Sequence, residues 1–137
     1  MRFMILIKAD KNTEAGLLPS AQLLADMGRF NEELVKAGVM LAGEGLHPSS
    51  KGRRVRFSGS TRTVVDGPFT ETKEVLGGFW LIQAGSLAEA VEVARQAPCP
   101  AGETIEIRQV FEPEDFGEDV AKTERDQIAQ MAGQKRG

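Results

Sequence analysis

The order of hydrophobic patterns along the chain limits its fold more than any other feature. Short, branched apolar runs predict strands, and two stretches with helical periodicity separate them. The predicted strands cover Arg2–Lys8, Val39–Leu46, Gly78–Ala84 and Glu103–Phe111, and the helices begin at Pro19-Ser20 and at Ser86. If a central hairpin is set aside, the order is strand, helix, strand, strand, helix, strand. This order predicts an α+β domain of the ferredoxin-like, split βαβ type with an antiparallel sheet.

The two helices carry start and stop signals as well as periodicity. Large apolar residues recur at spacings of four, three and four in the first helix, which predicts one buried stripe. The stripe consists of Leu23, Met27, Phe30 and Leu34. Ser20 is a suitable N-cap and Gly38 a suitable stop. In the second helix, Ser86 and Glu89 have the spacing of a capping box.

The segment from Arg53 to Asp66 predicts an inserted hairpin. Two arms rich in β-branched residues flank Ser58-Gly59-Ser60, a turn sequence. Alternation along the first arm places Arg54 and Arg56 on one face. Arginines on such a ribbon suit recognition of carboxylate or phosphate, but we favour the interpretation that their charge protects an exposed edge from aggregation.

A sheet with both helices on one face leaves its other face uncovered. Because the predicted strands are apolar on more than one side, we expect a homodimer whose sheets pack face to face as an α+β barrel. We divide the chain into a domain over 1–112 and a partly helical tail over 113–137, and we expect a polar loop over Lys11–Leu18. In the predicted second strand, Gly43 and Gly45 indicate a bulge or a close backbone approach.

Composition excludes several classes of protein. A net charge of −3 provides no general attraction to nucleic acid or anionic lipid. No apolar run approaches the length that crosses a bilayer, and we interpret the N-terminus as a strand rather than a signal peptide. Cys99 and His47 are the single cysteine and histidine, which excludes the usual zinc sets and indicates a reducing, cytoplasmic setting. No metal or organic cofactor is indicated.

One loop has a sequence that is specific enough to suggest a family. Asp66-Gly67-Pro68-Phe69 is followed by Glu71, Lys73, Glu74 and then Gly77-Gly78-Phe79. With Gly45-Leu46-His47-Pro48 upstream and Ile105-Glu106-Ile107-Arg108 downstream, the chain resembles the YCII-related, or DGPF-domain, family over roughly residues 1–112. The resemblance implies a dimeric α+β barrel. It also implies either a small-molecule enzyme, such as a lyase with a His–Asp acid/base pair, or a module linked to extracytoplasmic-function sigma factors.

The resemblance makes His47 and Asp66 the candidate catalytic pair. A histidine titrates near neutrality, and a rigid position beside a carboxylate suits a general acid or base. The simpler interpretations are a loop imidazole bound to backbone or water, and an aspartate that stabilises its own turn.

The remaining candidates are residues that we expect to bind substrate. Lys73 would hold an anionic group and Glu71 would lie beside it, although both also fit a solvated turn. Arg54 and Arg56 would bind an anion, and Trp80 would contact a planar substrate unless it belongs to the core. We therefore weigh three functions: an enzyme acting on a small aromatic or anionic molecule, a non-catalytic ligand- or protein-binding module, and a structural homodimer.

Overall fold

The computed structural model describes residues 1–71 and 74–134 of the chain. The strands within these residues are Arg2–Lys8 (β1), Met40–Gly45 (β2), Arg53–Ser58 (β3), Thr61–Asp66 (β4), Leu76–Gln83 (β5) and Ile105–Gln109 (β6). The α-helices are Lys11–Glu14 (α1), Ala21–Lys36 (α2), Leu87–Arg95 (α3) and Glu118–Ala132 (α4). Short 3₁₀ turns cover Ser49–Lys51 and Pro113–Phe116. The α+β class is therefore as predicted.

The main sheet has four antiparallel strands in the order β2-β5-β1-β6. The first and last strands of the domain are therefore neighbours, and the two strands that follow the helices lie at the edges. This arrangement is consistent with the predicted split βαβ order. β3 and β4 form a separate two-stranded sheet, the predicted hairpin.

The core lies between one face of the main sheet and the helices. Phe3 and Ile5 pair directly with Ile82 and Trp80 across the two central strands, so all four side chains share a face. They pack in one cluster with buried residues of α2 and α3, namely Phe30, Leu34, Ala90 and Ala94. The opposite face carries half-buried apolar residues, including Met4, Leu6, Phe79 and Leu81.

The ends of α2 follow from the signals in its sequence. The Ser20 hydroxyl accepts a hydrogen bond from the Leu23 amide at 3.1 Å, which satisfies one of the free N–H groups of the first turn. After the helix, Gly38 has φ of 70°, a conformation that glycine adopts without steric cost. The predicted start and stop are confirmed.

Two local predictions are corrected. Lys11–Leu18 is not a loop throughout, because Asp10 and Thr13 form a capping box: the Thr13 amide donates to Asp10 Oδ1 at 2.7 Å and the Asp10 amide donates to Thr13 Oγ1 at 2.9 Å. This reciprocal cap stabilises one short helix, α1. At α3, the Ser86 hydroxyl caps the helix as expected, but Glu89 accepts from the Gly85 amide at 2.8 Å rather than from Ser86.

The tail contains a longer helix than its weak periodicity indicates. Arg2 on β1 forms an ion pair with Glu112 at 2.8 Å, which joins the start of the tail to the sheet. Ala121 is the buried residue of α4, while Val120, Ile128 and Met131 are exposed. Among the described residues, no helix is both long enough and apolar enough to span a bilayer.

Candidate functional site

A partly enclosed cavity of about 330 Å³ lies where α2, the adjoining ends of β1 and β5, and the loop before β6 come together. Its walls are mainly apolar and include Leu23, Met27, Phe79, Trp80, Pro100 and Ile105. Cavities of this size with a few polar groups are typical sites for small organic molecules. The cavity is therefore the first candidate for a functional site.

Trp80 forms a rigid wall of this cavity. Its side chain is 3% exposed, and its indole Nε1–H donates to Asn31 Oδ1 at 2.8 Å. The ring meets Phe30 edge to face, with centroids 5.2 Å apart, a favoured aromatic geometry. Gly43 makes room for it, because a Cβ there would lie 2.9 Å from Trp80 Cδ1. Trp80 thus belongs to the core and also faces the cavity, and Gly43 is the close approach that the sequence indicated.

Two carboxyl groups provide the most chemically distinctive part of the cavity. Asp10 caps α1, and hydrogen bonding from the Thr13 backbone lowers the pKa of its carboxyl. Burial raises the pKa of Glu103, and the charge of Asp10 and a hydrogen bond to it raise that pKa further. The environments therefore separate the pKa values of the pair, and Asp10 is the more acidic member.

Cys99 lines the same cavity without the environment of a nucleophile. Burial raises the pKa of its thiol, and the nearby Glu103 carboxyl raises it further. Because the thiolate is the reactive form, this cysteine stays a protonated, weakly polar wall group. Within the described part of the chain, no group of three or more histidine, cysteine or carboxylate residues could hold a metal ion.

The DGPF turn is fastened to the rest of the domain by Ser49. The buried Ser49 hydroxyl accepts from the Phe69 amide at 2.9 Å and donates to the Glu14 carboxylate, which also accepts from the Ser49 amide at 2.9 Å. The Gly67 amide donates to the Gly52 carbonyl at 3.2 Å. The peptide bond between Gly67 and Pro68 is cis. Side-chain and backbone bonds thus hold the turn against α1 and the start of β3.

The structure places His47 and Asp66 in separate local environments. His47 is exposed on the connection after β2. The Asp66 side chain is 76% exposed and forms an ion pair at 2.9 Å with Arg53, its direct partner across the hairpin. Among the described ion pairs and hydrogen bonds, none joins His47 to Asp66. Their catalytic pairing stays a prediction.

A second, more open hollow of about 400 Å³ lies beside the DGPF turn, and Arg54 is the predicted substrate-binding residue among its described lining residues. His47, Lys51 and Arg54 line it, and the Arg54 guanidinium lies 3.8 Å above the centroid of the Phe69 ring. Arg56 is exposed on the hairpin, opposite Thr63. The hollow therefore gathers cationic groups beside the DGPF turn.

Glu71 and Lys73 are the other two predicted substrate-binding residues of the DGPF segment. Glu71 is exposed, and its carbonyl accepts from the Glu74 amide at 2.8 Å. Lys73 lies outside the described residues.

The carboxyl pair was missed because its members are far apart in sequence. Asp10 follows β1, and Glu103 precedes β6. These strands are antiparallel neighbours, with Ile7 opposite Ile105, so the end of one meets the start of the other. The predicted split βαβ order already makes the first and last strands adjacent, and the acidic residues at their shared edge were the signal that could have identified the pair.

Comparison with known proteins identifies the family. The YCII-related domain matches residues 1–114, and the chain belongs to this family. An uncharacterized protein of Rhizobium meliloti (strain 1021) is 38% identical over 74 residues, which are 54% of this chain and 60% of that protein. The match therefore spans about 60% of the length of that curated relative.

A solved structure with partial likeness is the 5-chloro-2-hydroxyhydroquinone dehydrochlorinase of Burkholderia phenoliruptrix in complex with 2,5-dihydroxybenzoquinone. It is 16% identical, with a TM-score of 0.44 over 84% of this chain and 98% of that one. A likeness this distant carries no argument about activity.

Proposed function

We propose that the chain binds a small, largely apolar, planar molecule in the cavity beside Trp80 and moves a proton on it without a cofactor. The observation that carries this proposal is the carboxyl pair: Asp10 and Glu103 face an apolar cavity, and their surroundings shift the two pKa values in opposite directions. Paired groups with separated pKa values suit the roles of base and acid.

The carboxyl pair would act as a proton shuttle. One carboxylate of the pair accepts a proton from a weakly acidic C–H or O–H of the bound molecule, and the carboxylic acid so formed returns that proton to another atom of the same molecule. The second carboxyl tunes the pKa of the first through its charge and hydrogen bond. Isomerisation by proton shift and elimination of a protonated leaving group are the reactions that this arrangement suits.

Solvent exchange of an acidic C–H tests the proposal directly. In D₂O, we expect the protein to accelerate loss of the α-proton NMR signals of 2-indanone, a planar apolar ketone. Asp10→Asn and Glu103→Gln should each reduce this acceleration by about 100-fold, the range of general acid–base contributions. Asp10→Asn preserves N-capping of α1, since asparagine caps as well as aspartate.

The matched control is Glu92→Gln, an exposed carboxylate of α3 that is not among the described lining residues of the cavity and pairs with Arg95 at 3.1 Å. This variant should exchange 2-indanone as fast as the unmodified chain. His47→Gln examines the alternative acid/base pair of the DGPF loop in the same assay. Exchange that persists in Glu103→Gln and disappears in His47→Gln would move the chemistry to His47.

A second candidate function is non-catalytic recognition at the DGPF turn. The hollow lined by Lys51 and Arg54 favours it, since cations beside an aromatic ring suit a carboxylate or phosphate group. A regulatory module in a sigma-factor context would use such a surface. Arg54→Gln should then weaken binding of an acidic peptide about tenfold, whereas Glu103→Gln should not affect it.

We also propose that the chain forms a homodimer through the open face of its sheet. Met4, Leu6 and Leu81 leave apolar surface on the side away from α2 and α3. A second copy with the same surface is the simplest self-complementary cover for it.

A further inference from the structure

The charged groups around the cavity do not balance. Asp10, Glu44 and Glu103 are the acidic residues that line it, and the one basic residue among its described lining residues is Lys8. Lys8 also lies 3.9 Å from Glu106, outside the cavity, so part of its charge is already neutralised. The polar side of an otherwise apolar cavity is therefore acidic.

This excess of acidic residues determines which ligand charge the cavity favours. A carboxylate placed against the polar wall would lie beside Asp10, with Lys8 as the one described cation to offset the repulsion, and a low-dielectric site strengthens that repulsion. A protonated amine would gain the same interaction as attraction and would donate hydrogen bonds to both carboxyls. The apolar and aromatic walls, with Leu23, Met27 and Trp80, would receive its hydrocarbon part.

We propose that the ligand of this cavity is a small aromatic amine, bound as its ammonium ion, with the charged nitrogen between Asp10 and Glu103 and the ring against Trp80. The proposal rests on the small-molecule site proposed above and differs from the expectation of an anionic substrate. It assigns a positive charge to the ligand, because the carboxyl pair would attract a cation.

The binding should also depend on pH. An ammonium between the carboxyls favours the ionised form of Glu103, so affinity should rise as Glu103 loses its proton and fall as it regains it. The other titratable groups that face it are Asp10, Glu44, Lys8 and the Cys99 thiol. The amine itself stays protonated at neutral pH, so a neutral isostere should show no such dependence.

A single tryptophan makes the test direct. The chain has one tryptophan, so the indole N–H of Trp80 provides one ¹H–¹⁵N signal from the cavity wall. We would titrate the protein at pH 7 with 2-phenylethylamine, 2-phenylethanol and phenylacetate, which share size and shape and differ in charge. The amine should bind at least about tenfold more tightly than the alcohol, which is one step of 1.4 kcal/mol, and the carboxylate should bind most weakly.

Variants identify the cause of this preference. Asp10→Asn and Glu103→Gln should each reduce the advantage of the amine over the alcohol to less than about threefold, while Glu92→Gln should retain it. Equal or tighter binding of phenylacetate would overturn the charge class and leave a small-molecule site in place. If none of the three compounds moves the Trp80 signal at millimolar concentration, the site itself is wrong.

Discussion

At the scale of single residues, Gly67 has the least freedom to change. A Cβ at this position would overlap the carbonyl of Ser49, whereas a Cβ on Gly45 would meet nothing within 4 Å. We expect Gly67→Ala to displace the DGPF turn and to reduce the free energy of unfolding by about 2–3 kcal/mol, the usual cost of overpacking. Gly45→Ala is the control and should stay within about 0.5 kcal/mol of the unmodified chain. Urea unfolding measures both, and equal midpoints would show that the turn adapts.

At the scale of elements, Ser49 joins three parts of the chain that share no strand pairing. Its hydroxyl donates to Glu14 at the end of α1 and accepts from the Phe69 amide of the DGPF turn. Ser49→Ala removes one partly buried hydrogen bond from the Glu14 carboxylate and one from the Phe69 amide. This loss should reduce the free energy of unfolding by about 2 kcal/mol. The Phe69 amide should also exchange with solvent faster. Ser50→Ala, at the exposed neighbouring residue, is the control. Unchanged hydrogen exchange of the Phe69 amide in Ser49→Ala would contradict the role of Ser49 in holding the DGPF turn.

At the scale of the whole molecule, the uncovered sheet face predicts self-association. Light scattering at micromolar concentration should give twice the mass of one chain. Leu81→Lys, on the open face, should give monomers with an unchanged circular dichroism spectrum, because an unpaired charge cannot be buried at an apolar interface without a large cost. Leu24→Lys, on the exposed outer side of α2, should remain dimeric. If the unmodified chain is monomeric, the homodimer proposal is wrong.

Local signals in the sequence determined the elements. The stripe of α2, its Ser20 cap and Gly38 stop, and the turn of the β3–β4 hairpin are short-range features, and each places hydrogen bonds or apolar groups within a few residues of one another. The strand and helix order was enough to predict the neighbours in the sheet, and the DGPF motif was enough to indicate the family. The short helix α1 was missed although Asp10 and Thr13, which form its capping box, are visible in the sequence. The polar composition of the segment favoured a loop, and the helix is only four residues long.

Tertiary structure alone decided where the proposed site lies. The pairing of β1 with β6 brings Asp10 and Glu103 together, and burial and the charge of Asp10 then raise the pKa of Glu103, which no local pattern predicts. The folded structure also pairs Asp66 with Arg53 and makes Trp80 a wall of the cavity beside α2. Periodicity and capping act between near neighbours and are legible in the sequence. The charge and solvation of a site depend on groups that meet only after the chain has folded.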